Sequence, residues 1–206
     1  LAEHSRRVAD LAELVAHELG LDRSQRAAAH LAGRLHDVGK IGLGDDVLQS
    51  DQQLSLEQRA RIRDHPRIAA ELVRSVGGDE DLAETVLAHH ESPDGSGYPR
   101  GLQAADILTE SRILAVANAF VAMASARAYR PGRPAIEAIA ELRAHAGTDF
   151  DVAVVDAMVT VWESTLVLTG GIVAVDPLPF RNPADYLGSV RTRAAARELR
   201  QCSAVK

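Results

Sequence analysis

Apolar residues return every three or four positions along most of this chain, the spacing that gives a helix one buried face. Val8, Leu11, Ala12, Val15 and Leu19 line up in this way, and Gly20 is placed to close the first helix. Ser24 is positioned to cap a second helix running through Leu31 and Leu35 to the His36–Asp37 pair. A Gly- and Asp-rich stretch from Gly39 to Leu54 reads as loop. Ser55, followed three residues later by Gln58, predicts a reciprocal cap opening a third helix. Pro66 disfavours helical geometry at His65, so the pair marks a break. Ile68, Leu72, Val73 and Val76 then form the apolar face of a fourth helix, stopped by Gly77–Gly78. Leu82, Val86 and His89 share a face of a fifth, from about Asp79 to His90, and the Gly- and Pro-rich run Ser92–Gly101 is loop.

Thr109 is placed to cap a helix reaching about Arg127, apolar on most sides and therefore central to the core. Pro134 fits the first turn of the next, ending near Gly147. Asp149 or Asp151 starts the last strong helix, through Val155, Met158 and Trp162. No alternating strand pattern extends beyond five residues, so the fold class is all-α, a helical bundle. Past Gly170–Gly171 the texture changes: Pro177 and Pro179 interrupt the chain, and a final helix is expected from about Pro183 to Leu199. We therefore divide the sequence into a domain at 1–168 and a short C-terminal extension at 169–206. The extension's basic end is either a solvated helix at the edge of the bundle or a linker or partner-binding tail.

Composition narrows the function classes. The 206 residues are 46% hydrophobic and 25% charged, enough apolar material for a packed core. The longest apolar run, Ile113–Ala126, falls short of the ~20 residues of a membrane helix. A net charge of −6 and 3% aromatic residues argue against a broad nucleic-acid surface. The single cysteine, Cys202, excludes an intramolecular disulfide framework and fits a cytoplasmic location. No secretory pattern opens the sequence, and a start at Leu1 suggests a fragment.

The chemistry resides in the histidines. Of eight, His4, His36, His65, His89 and His90 stand beside carboxylates or at predicted helix ends. Imidazole and carboxylate together suit Fe, Mn and Zn, and a carboxylate can bridge two ions. Such a cluster serves hydrolysis, through a metal-activated water and neutralisation of phosphate charge. His17, His30 and His145 are expected as exposed helix residues.

His36–Asp37 is the doublet of the HD phosphohydrolase superfamily, and the run from His89-His90-Glu91 to Gly97-Tyr98-Pro99 resembles the signature of its HD-GYP branch. The resemblance extends over most of Leu1 to about Trp162. It takes in His4-Ser5-Arg6-Arg7-Val8-Ala9, Leu35 to Gly42, His65-Pro66, Arg112 to Ala117, Tyr129-Arg130-Pro131 and Gly147 to Asp151. It implies a helical bundle around two or three divalent ions, iron or manganese, and hydrolysis of cyclic di-GMP to pGpG or GMP. His4, His36, Asp37, His65, His89 and His90 fall on its metal-ligand positions, with Asp37 the bridging carboxylate and Lys40 on the scissile phosphate. Arg127 and Arg130 match positions that hold ligand phosphates. The loop of Asp94, Gly95, Gly97, Tyr98 and Pro99 shapes the pocket rim, with Tyr98 at the substrate, and offers a contact for partners such as a diguanylate cyclase of the GGDEF type.

The chain departs from the family on one helix. Asn118 stands where an Asp completes the metal set, Val121 replaces a second Asp, and Ala124-Ser125-Ala126 replaces a Thr-Ser-Asp run. A further Glu used by three-metal members would precede Leu1. These changes motivate a rival reading, a domain that binds the dinucleotide or a partner without turnover. A third reading is hydrolysis of another nucleotide phosphate. Plainer roles also stand beside the site assignments. Lys40 alone is a surface lysine, Arg127 and Arg130 suit helix C-terminal carbonyls, Asp94 suits a turn, and Tyr98 suits core packing.

Overall fold

The computed structural model describes residues 2–44, 47, 55–125 and 132–168. They form eight helices: α1 (Ala2–Glu18), α2 (Arg23–Leu35), α3 (Leu56–Arg63), α4 (His65–Ser75), α5 (Glu80–Leu87), α6 (Thr109–Ala124), α7 (Ala135–Ala144) and α8 (Val152–Leu168). Tight 3₁₀ turns lie at Val38–Gly42 and Ala104–Asp106. Among the described residues there is no strand, only isolated bridges joining Asp94 to Gln103 and Ala146 to Phe150. The all-α expectation holds. Arg127, Arg130, Ala126 and the extension at 169–206, with its expected helix, lie outside the described residues.

Helix α6 is the axis of the bundle. Ile113, Leu114, Val116, Ala117, Phe120 and Val121 are fully buried on it. Helices α1, α2, α7 and α8 pack around this stripe, and α1 lies along α2. Val8, Leu11, Ala12 and Val15 of α1 are completely buried, as their spacing predicts. Val121 is thus a core residue, and an aspartate there would carry a charge into an apolar interior at high cost.

The helix starts show which local signals decide. Ser55 and Gln58 make the predicted reciprocal cap, Gln58 N–H donating to Ser55 Oγ at 3.1 Å and Ser55 N–H to Gln58 Oε1 at 2.9 Å. At α2 the expectation fails: Asp22, not Ser24, is the cap. Its Oδ1 accepts from Gln25 N–H at 2.9 Å, and Gln25 Oε1 accepts from Asp22 N–H at 3.1 Å. Asp22 wins because its backbone is extended and Gln25 stands three residues on, whereas Ser24 is already helical. Thr109 is likewise the first helical residue of α6 and makes no side-chain cap. Of the two candidates at α8, Asp151 takes the part, its Oδ1 accepting from Val154 N–H at 3.1 Å. Arg112 ties this point to α6, with Nη1 2.9 Å from Asp151 Oδ2.

Two other expectations are corrected. Leu72 and Val76 do not face the core, being 42% and 83% exposed. Helix α4 instead buries Ala69, Ala70 and Val73, small residues that let α5 and the first 3₁₀ turn approach closely. Helix α5 ends at Leu87 rather than His90, closed by Ala88 N–H to Glu84 O at 2.9 Å. His89 and His90 therefore leave the helix in a turn. His30 and His145, expected as exposed, are half-buried beside Glu13 and Asp149 at 3.0 and 2.9 Å. His17 is half-buried too.

One glycine fixes the geometry between α2 and α4. A Cβ on Gly39 would lie 2.1 Å from His65 O and 2.9 Å from Ala69 N. Only glycine lets the 3₁₀ turn lie flat against the start of α4, which sets Asp37 and Lys40 beside His65.

Candidate metal centre

His36 follows the last residue of α2, His65 follows Asp64 at the end of α3, and His89 follows the end of α5. Each folds its Nδ1 back onto the carbonyl three residues earlier: His36 to Gly33 O at 2.9 Å, His65 to Ile62 O and His89 to Val86 O, both at 2.6 Å. Carbonyls at helix C-termini have no partner within the helix. A carbonyl only accepts, so each Nδ1 carries the proton and each Nε2 presents a lone pair.

Those Nε2 atoms converge. His65 Nε2 lies 3.3 Å from His89 Nε2, and Asp37 Oδ1 lies 3.5 Å from His36 Nε2 and 3.4 Å from His65 Nε2. Lys40 Nζ stands 2.6 Å from the same Oδ1. The His90 ring lies 4.1 Å from that of His89 and 5.2 Å from that of His65, while the His4 ring is 5.6 Å from that of His36. Two groups result, His65–His89–His90 and His4–His36–Asp37, each with ligand atoms within 4.8 Å of one another. Asp37 belongs to the second and reaches the first, the placement expected of a bridging carboxylate.

The donors fit divalent ions. His36 Nε2 is buried with no hydrogen-bond partner, and Asp37 Oδ1 is buried with no donor in hydrogen-bond alignment. Facing lone pairs on His65 and His89 repel each other, and a cation between them removes the repulsion. Burial lowers the His36 pKa to about 4 and the His90 pKa to about 3, and it holds that of His89 well below the ordinary imidazole value. The imidazoles are thus neutral and ready to ligate near pH 7. Burial alone would raise the Asp37 pKa, but its polar neighbours, the Lys40 ammonium 2.6 Å away among them, outweigh it and hold the carboxylate ionised.

Asn118 reaches the centre from α6, its Oδ1 3.0 Å from His4 Nε2. The amide brings an oxygen but no charge, so among the described residues the His4 group has Asp37 as its carboxylate and no second one.

The Gly-Tyr-Pro loop closes one side. A Cβ on Gly97 would lie 2.3 Å from Ser92 N and 2.6 Å from His90 O, so the loop presses onto the histidine backbone. Glu91, 3% exposed, staples the loop from beneath: Oε1 accepts from Arg100 N–H at 2.7 Å and Oε2 from Leu102 N–H at 2.9 Å. Asp94 is exposed and makes a turn, accepting from Ser96 N–H at 2.9 Å. Gly95 takes φ +83° in the same bend, and the Tyr98–Pro99 peptide is cis. Tyr98 is not core packing: its ring stacks on His90 with centres 4.8 Å apart, and burial raises its pKa to about 12. Arg63 lies over the same ring, its guanidinium carbon 4.3 Å from the centre. Glu91 and Arg63 were not singled out from sequence; their contacts form only when α3, α5 and the loop meet.

A family model described as HD domain matches residues 1–154. The chain belongs to the HD-domain family, and its histidine doublet and Gly-Tyr-Pro loop are those of the HD-GYP type. It is 40% identical over 157 residues to the cyclic di-GMP phosphodiesterase response regulator RpfG of Xanthomonas campestris, covering 74% of this chain and 41% of the relative. It is 39% identical over 128 residues to 3′3′-cGAMP-specific phosphodiesterase 1 of Vibrio cholerae, covering 62% of this chain and 30% of the relative. Among solved structures, Bd1817, an HDG"Y"P protein from Bdellovibrio bacteriovorus, superposes with a TM-score of 0.66 at 22% identity, over 79% of this chain and 52% of that one. The chain thus spans 30–41% of the length of these two curated relatives.

Proposed function

We propose that the chain hydrolyses cyclic di-GMP to pGpG, and after a second cut to GMP, using two divalent ions, iron or manganese. The observation that carries this reading is the convergence of neutral imidazole lone pairs on one ionised, buried aspartate, in a chain whose relatives are named for cyclic dinucleotide hydrolysis. His65, His89 and His90 would hold one ion and His4 and His36 the other, with Asp37 as the carboxylate within reach of both groups. The mixed nitrogen and oxygen donor set suits iron and manganese. Bound ions supply Lewis acidity toward phosphate and an acidified water.

The chain's own groups do the rest. Asp37 stays anionic across the working pH range and offsets the ions' charge. Lys40, 2.6 Å from Asp37, turns its ammonium to the scissile phosphate as a point charge. The Tyr98 hydroxyl, protonated at neutral pH, is a hydrogen-bond donor at the pocket wall. Arg127 and Arg130 belong to this reading as phosphate contacts. We place partner contact, a diguanylate cyclase of the GGDEF type included, on the exposed rim formed by Asp94, Ser96 and Pro99. The reaction is placed in the cytoplasm. No described helix is long and apolar enough to cross a membrane.

Protein purified without oxygen, loaded with Fe²⁺ or Mn²⁺ and given cyclic di-GMP is expected to release pGpG or GMP. Absence of product from a sample with two ions per chain contradicts the reading. The Asn118 amide favours a second one, binding without turnover, because it leaves the His4 group short of a negative ligand. Asn118→Asp then raises metal content and rate together; an unchanged rate counts against that alternative.

A further inference from the structure

We propose that Arg63 is a specificity-determining residue that reads the O6/N7 edge of a guanine in the bound dinucleotide. The inference rests on the cyclic dinucleotide reading above. Arg63 is the last residue of α3, exposed, with its guanidinium carbon 4.3 Å from the centre of the Tyr98 ring. That ring stacks at 21° on His90, a member of the His65 group. The ring contact anchors the guanidinium carbon beside the Gly-Tyr-Pro loop, and a contact made through the cation's face leaves its N–H groups able to bond outward.

Three other arginines around the site, Arg67, Arg74 and Arg100, are committed elsewhere. Arg67 pairs with Asp64 and Glu71, Arg74 with Glu80, and Arg100 with Glu84. Among the described residues no carboxylate pairs with Arg63. Its donors are therefore available to a ligand that offers two acceptors side by side. Guanine O6/N7 and a phosphate both answer that description. Position favours the base. The phosphate under attack belongs beside Asp37 and Lys40, and Arg63 is set off from the histidines by the Tyr98 ring. With Arg63 and His90 against it, that ring offers little face for a base to stack on, so its recognition falls to hydrogen bonds.

The test compares cyclic di-GMP with cyclic di-AMP, whose adenine replaces the O6 acceptor with an amino donor. Affinity is read as KM where the dinucleotide is turned over and as a calorimetric Kd where it is not. Arg63→Met is expected to weaken cyclic di-GMP roughly tenfold or more, with cyclic di-AMP little affected. Arg63→Lys keeps the charge but not the fork and is expected to lose the same discrimination. Metal content and helical circular dichroism should match the parent chain in both variants. Equal weakening of both dinucleotides, restored by lysine, would mean a phosphate contact and overturn the proposal, as would an unchanged preference. A parent chain that takes up neither dinucleotide overturns the cyclic dinucleotide reading itself.

Discussion

At the scale of single residues, the centre depends on which protons are absent. His36, His89 and His90 are held neutral by burial, whereas in the unfolded chain histidine titrates near pH 6.5. Their folded pKa values are depressed, so the unfolded chain binds more protons below about pH 6.5 and stability falls as pH falls. For His36 the loss runs down to about pH 4, and for His90 to about pH 3. Chelator-treated protein is therefore expected to melt at progressively lower temperature from pH 7 to pH 4, by calorimetry. A flat melting profile over that range would mean that these rings are solvated or charged in the fold. Glu91 gives a second expectation. Removing its carboxylate takes the acceptor from two part-buried N–H groups, so Glu91→Ala should cost roughly 1–2 kcal/mol in urea titration. The doublets His36–Asp37 and His89–His90 are legible in sequence because their members are neighbours. Arg63 over Tyr98 is not, because two helices separate them and neither residue type signals the contact.

At the scale of elements, the site is built from helix ends. Carbonyls left over at the ends of α2, α3 and α5 orient three imidazoles, so where a helix stops matters as much as where it starts. Periodicity alone carried α5 through His90, since Leu82, Val86 and His89 keep helical spacing; the stop after Leu87 comes from the turn that Ala88 and Glu91 close. The caps give a direct check. Asp22→Ala is expected to cost about 1 kcal/mol and Ser24→Ala much less, by thermal unfolding; the reverse order would restore Ser24 as the cap. Gly39→Ala should be worse than either, at roughly 1–3 kcal/mol, because its Cβ has no room against His65 O. The same substitution should lower metal content by pushing Asp37 away from His65. Normal metal binding in that variant would show that the turn is not what sets the distance.

At the scale of the whole molecule, a core made largely by α6, α1 and α8 holds the ends of α2, α3 and α5 around one aspartate. Most of this architecture follows from apolar spacing, since every expected helix within the described residues is present. What spacing does not give is which face wins: Leu72 and Val76 are outside because alanines allow closer packing of α4. The departure at Asn118 is legible as a letter, but its consequence, a hydrogen bond to His4, belongs to the assembled bundle. The central claim is that Asp37 joins two ion sites. The most direct measurement is metal content per chain, by elemental analysis of protein loaded with Mn²⁺ without oxygen, for the parent and Asp37→Ala with circular dichroism on the same samples. The account predicts two ions for the parent and loss of both in Asp37→Ala with helicity intact. Two ions retained by Asp37→Ala would contradict it.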